Sequence, residues 1–183
     1  MRVFLAVDIP EEIKAKIRDI QKNFEKERFD IKFVEPENLH ITLKFLGEVS
    51  EEEIEKVKRR VSSVVKDFSV FKIEMKEFGY FGNEKYIRTL WIGIGNEERL
   101  IELINKLNKK LDYIRKDKHK PSPHLTIGRV KSGKNREYLL KTIEGLKYVK
   151  IGEVYVKEIK LKQSILTPQG PVYRDIETFS LVE

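Results

Sequence analysis

Apolar residues along this chain fall into two alternating regimes, one with helical spacing and one with strand spacing. Ile13, Ile17, Ile20 and Phe24 follow Pro10 at intervals of three and four, predicting an amphipathic helix over residues 10–27. Ser50 and Glu53 form a capping box ahead of Ile54, predicting a second helix to about Val65. Leu100, Ile104, Leu107 and Leu111 stripe a third helix over 97–113, and a shorter one is predicted over 136–146. Between them lie β-rich segments at 1–7 and 124–130, and at 40–46 with Leu39, Ile41, Leu43 and Phe45 on one face. Two more, near 71–78 and 86–94, are joined by a glycine-containing turn. The end alternates strongly over 151–156, 159–166 and 172–181, which predicts antiparallel strands.

The order of these elements repeats. Each half holds a strand that begins with histidine and follows a proline (Pro36 in the first, Pro121 and Pro123 in the second), then a helix, then a pair of strands. No Gly-, Pro- or Ser-rich linker interrupts the chain, so residues 1–183 are expected to form a single bilobal α+β domain with an approximate internal two-fold repeat.

Two of the three histidines open the same pattern, His40-Ile41-Thr42-Leu43 and His124-Leu125-Thr126-Ile127. With six threonines in 183 residues, two such hits arise by chance about three times in a thousand. In a strand, His40 and Thr42 point one way and Ile41 and Leu43 the other, and the second motif behaves alike. Each strand therefore turns a polar face away from its helix layer, and if the lobes face each other the polar faces meet in a cleft. Two imidazoles across a cleft suit phosphodiester chemistry. A neutral ring takes a proton from the attacking hydroxyl or water, and a protonated ring gives one to the departing oxygen. Thr42 and Thr126 can donate to the non-bridging oxygens. Arg129, three residues after Thr126, can add a planar cationic clamp.

Composition narrows the partners. The net charge is +7 and the pI about 9.3, which favours an anionic ligand. The absence of cysteine removes disulfides, thiolate metal sites and cysteine nucleophiles. Two histidines without adjacent carboxylates make a poor metal set, so neither metal nor other cofactor is expected. Gly93 and Gly95 lack the Lys-Ser/Thr of a nucleotide-binding loop. The opening apolar stretch stops at Asp8, too short for a signal peptide core, so no membrane association and a cytoplasmic location are expected. Abundant Lys, Glu and Ile match the bias of proteins from hot environments. His119, in the run Arg115-Lys116-Asp117-Lys118-His119-Lys120, reads as part of a solvated loop, although that run is placed to steer an RNA backbone.

The paired motifs resemble the hallmark of the 2H phosphoesterases, and within them the RNA 2′,3′-cyclic phosphodiesterases, also called 2′-5′ RNA ligases. The resemblance runs through Arg2-Val3-Phe4-Leu5-Ala6, His40 to Gly47, Leu90-Trp91-Ile92-Gly93, His124 to Arg129, and Ser164 to Pro168 with Gly170, Pro171 and Tyr173. It implies two antiparallel sheets flanking a central cleft, with helices on the outer faces and strands exchanged between the halves. It implies an RNA end carrying a 2′,3′-cyclic phosphate as substrate and a 2′-phosphate as product, with no obligate protein partner and a monomer as the default. It also implies roles: His40 as proton donor to the leaving 3′ oxygen, His124 as the base that activates water, and Thr42, Thr126 and Arg129 as phosphate holders. Joining of RNA ends through a 2′-5′ linkage would use the same two histidines. Tyr80 and Phe81, read as lying in the turn Gly79-Tyr80-Phe81-Gly82, are candidates for base stacking. Two other readings stand beside this one: a phosphodiesterase for small cyclic or 2′-5′ linked nucleotides, and a non-catalytic RNA-binding module.

Overall fold

The computed structural model describes every residue from Met1 to Glu183. Its strands are β1 (Arg2–Asp8), β2 (Ile31–Phe33), β3 (His40–Glu48), β4 (Phe71–Asn83), β5 (Tyr86–Gly95), β6 (Leu125–Val130), β7 (Lys150–Val156), β8 (Glu158–Thr167) and β9 (Gly170–Ser180). Its helices are α1 (Glu11–Glu25), α2 (Glu51–Val65), α3 (Glu98–Leu111) and α4 (Arg136–Gly145), with one 3-10 turn at Pro36–Asn38. Pro10 stands just before α1, where its fixed φ and missing N–H cost nothing. Ser50 Oγ accepts the Glu53 amide at 3.2 Å, capping α2 as its sequence predicts.

The expected pair of sheets is one sheet. Its nine strands run β7-β4-β5-β6-β3-β1-β8-β9, with β2 added beside β6. A half of five strands, β2 included, and a half of four meet where β3 and β6 share a single antiparallel pair, Ile41 opposite Leu125. That seam is narrow enough for each half to keep its own surface yet continuous enough to make one sheet. Along the chain the halves interleave: β4 and β5 lie beside β6 and β7, whereas β8 and β9 lie beside β1. The helices pack on the apolar face, and one buried cluster of 41 residues joins both halves.

Two segments differ from the sequence expectation. Tyr80 and Phe81 lie inside β4, not in a turn, because the strand runs on to Asn83. The chain reverses only there, where Asn83 Oδ1 accepts the amides of Lys85 at 2.9 Å and Tyr86 at 3.0 Å. In β3 the strict alternation breaks: Leu5 pairs with Lys44 while Ala6 pairs with Thr42, leaving Leu43 as an extra residue. This bulge moves Phe45 to the face shared with Phe4, its partner on β1, and turns Lys44 inward beside Leu5. Lys44 is 2% exposed. Its ammonium is satisfied by Asn108 at 2.9 Å, Asp112 at 3.3 Å and Asp117 at 3.1 Å.

Helix α1 contributes one polar residue to the core. Gln21 is fully buried, and its Nε2 donates to the carbonyls of Val34 and Ile127, each at 3.0 Å. It ties the helix to β6 at a point within the second motif. Replacing Gln21 with Leu is expected to lower stability by about 1–3 kcal/mol, because the carbonyls lose that donor inside an apolar layer. Urea midpoints of the two proteins check this, and an unchanged midpoint would show that the bonds carry no net stability.

Candidate active site

The two motif strands lie side by side, and their antiparallel register sets His40 toward Thr126 and His124 toward Thr42. The four side chains line a single cleft of about 730 Å³, together with Arg129, Tyr173 and the Lys32–Glu35 segment. Its far wall is the β8–β9 hairpin, through Thr167 and Gly170–Tyr173. Asn38 Nδ2 donates to the Pro171 carbonyl at 3.0 Å and so fastens this wall to the entry of β3.

Both imidazoles are held in the same manner. His40 Nδ1 lies 2.7 Å from the Asn38 carbonyl, and His124 Nδ1 lies 2.8 Å from the Ser122 carbonyl, each two residues upstream. A carbonyl only accepts, so each Nδ1 carries the proton and donates it. In that tautomer each Nε2 is left as the ring's acceptor. His40 Nε2 stands 2.9 Å from Thr42 Oγ1. The prolines that introduce the motifs favour the extended backbone this arrangement needs.

Arg129 reaches the same face by a second bulge. In a regular strand an offset of three from Thr126 would point it to the opposite side. Here Leu90 pairs with Gly128 and Trp91 with Thr126, so Ile127 is the extra residue, as Leu43 is in β3. Arg129 then pairs with Thr89 on the cleft side. Gly128 lies against β2, where a Cβ would stand 3.0 Å from Ile31 Cγ2 and 3.2 Å from Phe33 Cδ1. The bulges occupy equivalent positions, and the place that Arg129 takes in the second motif is Phe45 in the first.

The two histidines have different neighbours. Phe81 meets His124 edge-on at 4.8 Å between centroids and also touches Trp91 at 5.7 Å. Tyr80 is not part of the site: it lies opposite Leu90 and packs on the core. His40 is enclosed by Phe4 at 5.1 Å and by Tyr173, edge-on, at 5.2 Å. His119 lies outside the cleft, in the wall of a separate cavity.

Beside His40 stands a four-membered ion network that the sequence pattern does not reveal. Lys160 bridges Asp8 at 2.8 Å and Asp175 at 3.1 Å, while Lys162 bridges Asp8 at 2.9 Å and Asp175 at 2.8 Å. Asp8 pairs with His40 across β1 and β3, and Lys162 pairs with Phe4 across β1 and β8. Burial pushes the Asp8 carboxyl up, but hydrogen bonds from Lys160 and Lys162 outweigh it and hold the group below its ordinary range. Asp175 is held low in the same way. For His40, burial lowers the pKa first; the Asn38 carbonyl raises it, Lys162 lowers it, Asp8 raises it and His124 lowers it, with a net downward shift. Burial also pushes the Tyr173 phenol up. No group of three or more His, Asp or Glu side chains converges to hold a metal ion, and no helix is long and apolar enough to cross a membrane.

Comparison with known proteins places this arrangement. The family described as LigT like phosphoesterase matches twice in tandem, over residues 7–91 and 92–173, which accounts for the doubled architecture. A protein of Methanocaldococcus jannaschii named RNA 2′,3′-cyclic phosphodiesterase is 45% identical, covering 97% of this chain and 99% of its own. One of the same name from Methanothermobacter thermautotrophicus is 38% identical over 99% of both chains. A crystal structure from Thermus thermophilus superposes with a TM-score of 0.83 at 32% identity, covering 99% of this chain and 98% of that one. The Escherichia coli LigT structure in apo form superposes with a TM-score of 0.79 at 26% identity, covering 100% of this chain and 98% of its own.

Burial of His40 makes a measurable claim. A folded-state pKa below the ordinary 6.5 means that folding favours the neutral ring. The associated stability is present above about pH 6.5 and is lost as pH falls through the folded value. NMR titration of the His40 ring is expected to give a midpoint below 6.5. Lys162→Met should raise it by removing a nearby positive charge, and Asp8→Asn should lower it further. A wild-type midpoint at or above 6.5 would show that burial does not govern this ring.

Proposed function

From its place in the LigT-like phosphoesterase family, to which the chain belongs, we propose that it hydrolyses RNA 2′,3′-cyclic phosphate ends to 2′-phosphates. The observation that carries this reading is the pair of imidazoles, each with Nδ1 fixed on a backbone carbonyl and each lining the one cleft that both motif threonines also line. The relatives at 38–45% identity, matched over nearly the full chain length, are named RNA 2′,3′-cyclic phosphodiesterase, which supports the substrate end of this reading.

The reaction needs one proton removed and one supplied. His124 Nε2 takes a proton from water as the water oxygen bonds to phosphorus. The bond from phosphorus to the 3′ oxygen breaks, and that oxygen takes the proton from His40 Nε2. The 2′ oxygen keeps the phosphate. Thr42 and Thr126 hydroxyls donate to the non-bridging oxygens, and the Arg129 guanidinium balances the charge that gathers on them. The lowered pKa of buried His40 makes its protonated form a stronger acid than a free imidazole. It also leaves that form a smaller fraction of the ring near neutral pH, so the donor role predicts a rate that rises as pH falls toward the His40 titration range. With a 5′-hydroxyl in place of water, the same steps would join two RNA ends through a 2′-5′ linkage. Acid and base exchange when that linkage is cleaved back to the cyclic phosphate.

The test is incubation with an RNA ending in a 2′,3′-cyclic phosphate, in excess EDTA, with product identification by phosphorus NMR. A 2′-phosphate is expected, and a 3′-phosphate would overturn the assigned direction of ring opening. His40→Ala and His124→Ala should each lower kcat by at least about 100-fold, the usual scale of general acid–base catalysis. Retained activity in both variants, with unfolding midpoints preserved, would remove the two-histidine mechanism.

A further inference from the structure

Thr42 lies between two cavities. The reaction cleft opens on one side. On the other is a cavity of about 590 Å³, walled by Ile104 and Asn108 of α3 and by residues 115–123 ahead of β6. Arg115, Lys116, Lys118 and Lys120 surround it. None of them forms an ion pair, and Asp112 and Asp117 both serve Lys44 instead. Unpartnered cations around one concavity form a site for anions spaced along a flexible ligand.

This loop is tied down at four points. Buried Lys44 of β3 grips Asp112 at its start and Asp117 at its middle. The Arg115 guanidinium stands 5.2 Å over the Phe45 ring. Near its end the Ser122 carbonyl receives His124 Nδ1. The cationic rim is therefore registered against both motif strands, at a fixed offset from the reacting phosphate. Fixed charges lose less entropy on binding than charges on a loose tether.

Resting on the function proposed above, we infer that this cavity holds the RNA strand on the 5′ side of the cyclic phosphate, its lysines neutralising the backbone phosphates nearest the reacting end. A terminal cyclic phosphate leaves the strand only one direction in which to continue. A path from the cleft past Thr42 leads directly into this cavity. A mononucleotide would fill the cleft and leave the rim unused, so the cavity would discriminate by strand length while the cleft performs the chemistry.

The experiment compares kcat/KM for a 2′,3′-cyclic mononucleotide with that for oligoribonucleotides of increasing length bearing the same end, across a range of salt. In the wild type the oligomers should be favoured, and the preference should fall with salt. The triple variant Lys116→Ala, Lys118→Ala, Lys120→Ala should lower the oligomer-to-mononucleotide ratio at least tenfold. Its log–log salt slope should flatten by about 0.7 for each backbone phosphate that is no longer neutralised. A control triple at Lys66, Lys134 and Lys157, exposed positions elsewhere, removes equal charge and should keep the ratio. An unchanged ratio in the loop variant, or an equal drop in the control, would overturn the inference. If the wild type turned over no cyclic phosphate of any length, the functional reading would fail by itself. Fluorescence anisotropy with a 3′-hydroxyl oligoribonucleotide would then judge the cavity alone: weaker binding by the loop variant only supports it, and equal binding by all three proteins removes it.

Discussion

The active cleft depends on one backbone pairing, Ile41 with Leu125. Antiparallel geometry makes the neighbours of that pair reciprocal, so each histidine is set toward the threonine of the other motif. No loop has to carry either imidazole across the molecule. Both motifs gain their geometry from sheet hydrogen bonds whose partners lie in the core. The matching bulges at Leu43 and Ile127 then turn the fifth residue beyond each histidine onto the cleft face.

Near-symmetry in the backbone coexists with asymmetry in the surroundings. The second motif presents Arg129 where the first presents Phe45 between the guanidinium groups of Arg2 and Arg115. His40 is enclosed by Phe4 and Tyr173 and sits beside an alternating Asp–Lys network, whereas His124 meets Phe81, which in turn touches Trp91. Burial and the Lys162 charge beside it lower the pKa of the His40 ring.

Much of this was legible in the sequence. The helices follow from periodicity, the motif strands from alternation, and the central grouping of His40, Thr42, His124 and Thr126 from a repeated tetrapeptide. What stayed hidden depends on long-range partners. A bulge is a property of two strands, so the inward turn of Lys44 and the cleft-facing turn of Arg129 cannot be seen in either strand alone. Lys160, Lys162, Asp8 and Asp175 are unremarkable in a chain with so many charges, and only the β1-β8-β9 register brings them together. The single continuous sheet is equally hidden, because one residue pair separates it from two. The full length of β4 is masked by Gly79 and Gly82, which resemble a turn. Gly79 instead leaves room for Trp91, whose ring would stand 2.4 Å from a Cβ there.

Helices α1 and α3 each follow a strand in one half of the sheet and support a motif strand in the other. Gln21 of α1 bonds within the second motif strand, and Asn108 of α3 accepts Lys44 from the first. A chain of half this length, carrying one histidine motif, would therefore be unable to brace its own strand. Two copies could brace each other and in doing so assemble both imidazoles. In the doubled chain each half supplies the helix that braces the motif strand of the other, so neither half has its shape alone.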